Sequence, residues 1–367
     1  MSPYNAVGMS KWDLDTPALC VDLDVVARNI KRIADTCKEA GVRWRPHTKG
    51  MKIPAVAHML IDAGAVGITC AKLGEAEVMA AGGIKNILIA NEIVGPVKIE
   101  RLVNLLRYAD VMVAVDSEEN VAMLDAMARA KGQTLKVVVE VNIGIDRAGV
   151  EPGQPVVEMA RKVLKYPNIQ LKGVMGWEGP TRAKYDTDEE RRLHITEGVE
   201  LITGSAELAR REGVPIEMVI CGGTATYRYT CFIPGVTDVK AGGGVWGDHY
   251  YNDRFHVPHE MAMTCMSSVA SRPTPTRVVT DAGRKTMDFL IQEPKPLGCG
   301  EVTHVHPSAE HGQFDLVEPN VKPGLGDKVE WSVGYTDPTV CMHDEIYGIR
   351  DGRVEVVWPI VGRGKSR

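Results

Sequence analysis

Two hydrophobic periods alternate along the first two thirds of the chain. Short apolar, β-branched runs lie at Val42–His47, Val66–Ala71, Ile87–Ala90, Val111–Val115, Lys136–Val141, Leu171–Gly176, Glu217–Cys221 and Asp238–Ala241. These predict strands. Between them, apolar residues recur at helical spacing over Val25–Ala40, Glu75–Ala81, Val97–Tyr108, Ser117–Lys131, Val156–Leu164 and Glu189–Glu212. Gly222–Thr237 is an irregular connection rich in Gly, Thr and Tyr. Eight strands alternating with helices predict an α/β fold, a (β/α)8 TIM-type barrel spanning residues 25–250. A doubly wound open sheet shares the alternation. The count of eight favours the barrel, and no G-x-G-x-x-G follows the first strand.

After residue 255 the helical period disappears. Strand candidates at Thr276–Asp281, Lys328–Ser332, Val340–Ile349 and Arg353–Pro359 are separated by Gly, Pro and Asp turns. They predict a second, mainly β domain built from 1–24 plus 255–367, to which Ala18–Asp22 adds a strand.

Composition narrows the function. The 367 residues exceed one small core. A net charge of -5 without a basic block argues against nucleic acid. No apolar run reaches the roughly 18 residues of a membrane span, so no membrane association is expected. The start, Met1-Ser-Pro-Tyr-Asn, lacks the charged and apolar regions of a signal peptide. Eight scattered cysteines without a Cys-x-x-Cys pair read as reduced, mostly buried thiols of a cytoplasmic protein.

Barrel chemistry sits where strands end. The first strand ends in Arg45-Pro-His-Thr-Lys-Gly50, the third in Asn91-Glu92 and the sixth in Trp177-Glu178-Gly179. The fifth leads into Asn142-Ile-Gly-Ile-Asp-Arg147. The seventh ends in Gly222-Gly223-Thr224 and the eighth in Gly242-Gly243-Gly244. Taken alone, Lys49 reads as a solvated lysine and one glycine pair as a tight turn. Together they point elsewhere. A lysine in a partly buried, cationic site, beside His47, is a nucleophile toward aldehydes. Glycines after the last two strands are where barrels bind phosphate. The pair fits a phosphate-bearing aldehyde cofactor.

The chain also resembles a known family. Asp15-Thr-Pro-Ala-Leu, Arg45-Pro-His-Thr-Lys49, Thr69-Cys-Ala-Lys-Leu-Gly-Glu-Ala-Glu77 and Ile87-Leu-Ile-Ala-Asn91 occur in order along the sequence. Glu140-Val-Asn-Ile-Gly144 with Arg147, Gly222-Gly-Thr224, Thr280-Asp-Ala-Gly283, Glu310-His-Gly312 and Asp337-Pro-Thr339 follow. They are similar to the fold-type III pyridoxal-phosphate enzymes of the D-threonine aldolase / D-serine dehydratase group, with their alanine-racemase-like barrel. The resemblance implies pyridoxal 5'-phosphate held on Lys49 as a Schiff base, with Lys49 also acting as base at the substrate Cα. It implies His47 and Arg147 flanking the cofactor, with Arg147 near its phenolate side. Trp177 would line the pocket, and Gly222, Gly223, Thr224, Gly243 and Gly244 would hold the phosphate. It further implies a homodimer acting on a small amino acid.

Two departures from the family touch the handling of the β-hydroxyl. The family's divalent metal (Mn, Mg or Zn) is bound by His-x-Asp or His-x-Cys before Pro-Thr. Here the segment is Tyr335-Thr-Asp337, which leaves Asp337 as the remaining ligand. His343, six residues on, would lie about 20 Å away along an extended strand. His311 is expected to approach the site, and His304 and His306 to face solvent. The second departure is a missing histidine in Gly179–Asp186, where Arg182, Lys184 or Tyr185 would take its place.

Three functions follow. The first is a lyase on D-β-hydroxy amino acids, cleaving a D-threonine-like substrate to glycine and an aldehyde, or in a variant eliminating water as a dehydratase. The second is a metal-independent racemase or epimerase with Lys49 opposed by Tyr335 or Tyr250. The third is a cofactor carrier, against which the second domain argues.

Overall fold

The computed structural model describes residues 5–179 and 187–367. All eight expected barrel strands are present, at Arg43–Trp44, Ile68–Cys70, Asn86–Glu92, Asp110–Val115, Leu135–Glu140, Ile169–Met175, Met218–Cys221 and Asp238–Val239. Each is parallel to its neighbours in chain order, and the first also pairs with the eighth. The seam between first and second strands closes through three backbone bonds. Val66 N–H donates to Trp44 O at 2.9 Å, Thr69 N–H to Pro46 O at 2.8 Å and Thr48 N–H to Thr69 O at 2.8 Å.

Alternation along these strands sorts side chains into two layers. Leu88, Met112, Ala114, Val138, Met175, Met218 and Ile220 fill the barrel interior. Ile87, Ile89, Val111, Val113, Val137 and Val139 point outward, onto the apolar faces of the surrounding helices. Both faces are therefore buried, which is why these strands read as unbroken apolar runs.

The six expected helices are found within two residues or so of their expected ends, except that Val97–Tyr108 is helical only over Pro96–Leu105. Asp188–Arg211 begins with a reciprocal cap: the Glu190 N–H donates to Thr187 Oγ1 and the Thr187 N–H to Glu190 Oε2, both at 3.1 Å. A seventh helix, Pro54–Asp62, was not expected. Its nine residues, Pro-Ala-Val-Ala-His-Met-Leu-Ile-Asp, carry too few polar positions to display a helical period, although the proline suits a first turn.

The described residues form two compact units: Arg32–Lys49, Pro54–Gly242 and Lys365–Arg367 in the barrel unit, and Met1–Lys31, Gly50–Ile53 and Gly243–Gly364 in the β unit. In the β unit, Ala18–Asp22 lies between Met263–Ser271, antiparallel, and Glu345–Arg350, parallel. Met263–Ser271 also pairs with Arg277–Thr280 and Lys328–Ser332. Gly312–Leu316 follows Arg277–Thr280, and Val302–Pro307 forms the edge. Trp331, Phe314 and Val278 centre one core here. Met263–Ser271 escaped the sequence reading because small and hydroxyl residues dominate it.

One strand expectation is corrected. Val340–Ile349 is not continuous: Thr336–Val340 is a helical turn and the strand runs from Glu345 to Arg350. Asp337 and Pro338 in the first turn suit a helix start, and the Thr339 hydroxyl donates back to Tyr335 O at 2.7 Å. The extended spacing expected between Asp337 and His343 therefore does not apply. His343 instead meets Thr286 O through Nε2 at 2.8 Å.

Candidate active site

In the barrel unit the end of the first strand is held from several directions. The His47 N–H donates to Lys240 O at 3.0 Å. The Thr48 hydroxyl donates to the fully buried Glu75 at 2.6 Å. The Lys49 N–H donates to His47 Nδ1 at 3.3 Å, which sets the imidazole against the backbone of the lysine. A Cβ on Gly242 would overlap the carbonyl of His47, so only glycine allows the end of the eighth strand to pass so close. His47 and Lys49 are both half-buried.

Across the rim, Gly222-Gly223-Thr224 is anchored by a carboxylate that sequence reasoning quoted but gave no role. Glu178 is 1% exposed. It accepts from the Gly222 N–H at 3.0 Å, the Thr226 hydroxyl at 2.7 Å and the Thr230 hydroxyl at 2.5 Å. The Gly223 N–H donates to Thr226 Oγ1 at 3.0 Å, and Gly223 O accepts from the Thr226 and Tyr227 N–H groups. Gly222 has φ 72°, and a Cβ there would sit 2.9 Å from Val239. A Cβ on Gly223 would stand 3.0 Å from Trp177 Nε1, so the indole lies directly against this turn. The signal that would have found Glu178 is a lone acid among apolar strand-end residues.

Beneath this loop Lys240 is buried, its Nζ donating to Gly176 O at 2.8 Å. Burial pulls its ammonium below the ordinary lysine range. Arg147 is mostly exposed and reaches Glu140 at 3.5 Å. Glu140 also faces Glu92, whose carboxyl is pushed up to about 7 by burial and then by Glu140. Arg147 therefore stands beside a cluster of acids.

In the β unit, Tyr335 begins the Thr336–Val340 turn. Its hydroxyl donates to Asp337 Oδ2 at 3.1 Å. Burial first, then Asp337, holds the Tyr335 phenol above its ordinary range, so it stays protonated. Its ring lies 4.4 Å from Tyr250 and 6.0 Å from Tyr251, between centroids. Asp248, pushed up to about 7 by burial, accepts from the Thr336 N–H and hydroxyl at 3.0 and 2.8 Å. A Cβ on Gly50, the residue after Lys49, would collide with Asp337. Gly243 and Gly244 form a single helical turn with Val245, and Gly244 O meets His259 Nδ1 at 2.6 Å. Arg182, Lys184 and Tyr185 lie outside the described residues, as do Met1–Tyr4 of the N-terminus.

The barrel residues suit a phosphate-bearing aldehyde: a lysine amine on the rim, and a Glu178-anchored glycine turn whose left-handed backbone at Gly222 would strain any side chain. The Asp337 surroundings do not suit a transition metal. One carboxylate oxygen already accepts from a protonated phenol. Among the described residues, no group of three His, Cys, Asp or Glu donors converges there.

Comparison with known proteins gives two family matches. The alanine racemase N-terminal domain family matches residues 21–249, and a putative serine dehydratase domain matches residues 262–349. The chain is 33% identical to the 3-hydroxy-D-aspartate aldolase of Paracoccus denitrificans (strain Pd 1222), over 98% of this chain and 95% of that protein. It is 32% identical to the D-threonine aldolase of an Arthrobacter species, over 96% and 94%. The crystal structure of D-threonine aldolase from Filomicrobium marinum superposes with a TM-score of 0.94 at 34% identity, covering 100% of both chains.

Proposed function

The chain belongs to the alanine racemase N-terminal domain family, and from that premise we propose that it is a pyridoxal-phosphate-dependent lyase cleaving D-β-hydroxy amino acids. The favoured reaction is retro-aldol cleavage of a D-threonine-like substrate to glycine and an aldehyde. The observation that carries this reading is the pairing, on one barrel rim, of a lysine at the end of the first strand with a Glu178-anchored glycine turn at the end of the seventh.

When bound, the cofactor supplies an aldehyde that condenses with amines and an electron-poor ring that accepts the electron pair of a breaking bond at Cα. This chain's residues do the rest. Lys49 presents the amine that carries the aldehyde, and it moves a proton at the substrate Cα. His47, whose Nδ1 accepts from the Lys49 backbone, orients that lysine and flanks the ring. Trp177 packs against the Gly222-Gly223-Thr224 turn, which would give the phosphate close approach to the chain while Glu178 and Thr226 hold the Gly222 and Gly223 N–H groups. Arg147, paired with Glu140 at 3.5 Å, would flank the cofactor on its phenolate side. Tyr335 and Asp337 form a hydrogen-bonded proton-carrying pair where relatives of this group place a metal pair. No step is assigned to a metal at Asp337, because its donor set does not fit one.

The protein is also read as a cytoplasmic homodimer. Its eight cysteines are all free thiols, seven of them buried, which suits a reducing compartment. Leu290, Val321 and Leu325, between 74% and 86% exposed, give the β unit apolar surface to cover in a dimer. No helix among the described residues is long and apolar enough to cross a membrane.

Incubation of the cofactor-loaded protein with D-threonine, D-phenylserine, D-serine and 3-hydroxy-D-aspartate tests the reaction. Glycine plus aldehyde is the expected product. A 2-oxo acid plus ammonia would make it a dehydratase, and no cleavage of any of them would refute the lyase reading. Lys49→Ala is expected to lose both activity and covalently reducible cofactor. Retention of either removes Lys49 from its role.

A further inference from the structure

The edge of the β unit carries a cluster that the lyase reading leaves unused. Val302–Pro307 pairs antiparallel with Gly312–Leu316, which pairs in turn with Arg277–Thr280. Phe314 and Leu316 enter the core, so Gln313 and Asp315 face the other way. Register sets His304 opposite Asp315 and His306 opposite Gln313. The two histidines are two residues apart, hence on one face, and both are exposed. Their rings stack with centroids 5.6 Å apart and planes at 18°. His306 Nε2 lies 3.4 Å from Asp315 Oδ2. One donor atom from each of the three residues lies within 4.8 Å of the other two.

We propose that His304, His306 and Asp315 bind a divalent transition ion, Zn²⁺, Ni²⁺ or Cu²⁺, with water completing its coordination. Two donors each about 2.1 Å from an ion stand at most about 4.2 Å apart, so small rotations of exposed side chains suffice to close on it. The class of ion follows from the neighbours. Arg277 donates to both oxygens of Asp315 at 2.8 Å. That fixes the carboxylate beside the histidines, and it also offsets the carboxylate's charge. A hard, oxygen-seeking cation such as Mg²⁺ or Ca²⁺ gains little from one neutralised carboxylate. An ion that binds imidazole keeps two full donors. The bound ion ties the edge strand to its neighbour, and it does so independently of any cofactor on Lys49.

Untagged, cofactor-loaded protein titrated with Zn²⁺ in a calorimeter tests the site. The expected result is one ion per chain, unaffected by excess Mg²⁺. His304→Ala or His306→Ala weakens binding at least about tenfold, and the double variant loses the site. His311→Ala, in the adjoining turn, leaves it unchanged. In the Cu²⁺-loaded protein, electron paramagnetic resonance shows two nitrogen donors. The proposal is overturned by a wild-type protein that takes up no Zn²⁺ or by a double variant that binds as wild type does. Circular dichroism of the double variant confirms that loss of binding is not loss of folding, which exposed positions make a safe control.

Discussion

Glu178 offers the sharpest test of how the phosphate turn is built. Replacing it with alanine strips three buried donors of their acceptor: the Gly222 N–H and the Thr226 and Thr230 hydroxyls. Each donor left unsatisfied costs about 1–3 kcal/mol, and neighbours sharing one partner do not add fully, so the loss is about 3–5 kcal/mol. Glu178→Gln behaves differently. Its carbonyl can still accept from Gly222, and the two hydroxyls can rotate to accept from the new amide. That variant should lose under about 1.5 kcal/mol. Urea unfolding of the cofactor-free proteins measures both numbers. Cofactor titration then separates anchoring from general stability. A turn that has lost its anchor binds pyridoxal phosphate at least about tenfold more weakly, equal to about 1.4 kcal/mol, yet binds pyridoxal, which lacks the phosphate, unchanged. If Glu178→Ala matches wild type in both measurements, or weakens the two ligands equally, the carboxylate does not set the turn.

Other outcomes follow from the same geometry. Cleavage activity should resist prolonged EDTA treatment, and Tyr335→Phe, which removes the hydroxyl bonded to Asp337, should lower kcat. Activity lost to EDTA and restored by Mn²⁺ would refute the reading of Asp337 as a metal-free partner. Glu92 has a folded-state value of about 7 against an ordinary 4.5. The folded protein therefore binds the extra proton between those values, and stability falls as pH rises from about 4.5 to about 7. Glu92→Gln should flatten that part of the stability profile, and an unchanged slope would place the proton elsewhere. Gly242→Ala should displace the His47–Lys49 segment and abolish activity, since the new methyl collides with the His47 carbonyl. A fully active alanine variant would mean that the strand end moves without consequence.

Which features were legible in the sequence follows from what each element buries. Strands such as Val111–Val115, apolar on both faces, announce themselves. So does Asp188–Arg211, whose Thr187 and Glu190 cap is written in the residues. Pro54–Asp62 hides because only His58 and Asp62 mark its polar face, and Met263–Ser271 because small and hydroxyl residues outnumber its β-branched pair, Thr264 and Val269. The expected strand Val340–Ile349 started too early, because Val340 closes the Thr336–Val340 turn and five residues are too few for a helical period to emerge. Lys49 and the glycine pair were visible from their positions after the first and seventh strands. Glu178 was not assigned, because its importance lies in three partners up to 52 residues away. The Tyr250, Tyr251 and Tyr335 cluster joins two distant stretches of sequence in the same way.

The closing seam of the barrel has a consequence for motion. Strands four and five are stapled along four to six residue pairs to each neighbour. The first strand has two paired residues toward the eighth, Arg43 and Trp44, continued by the Arg45 N–H to Val239 O and His47 N–H to Lys240 O bonds, and the three seam bonds toward the second; the eighth has two pairs on each side. Spontaneous opening of the cylinder should therefore begin at these two staves. Amide protons of Thr48 and Thr69 should exchange with deuterated water well before those of Val113 or Val138. The segment ending in Lys49 is thus mounted on the part of the wall that yields first. The rest of the wall stays stiff behind it, so the lysine can shift without the scaffold having to follow.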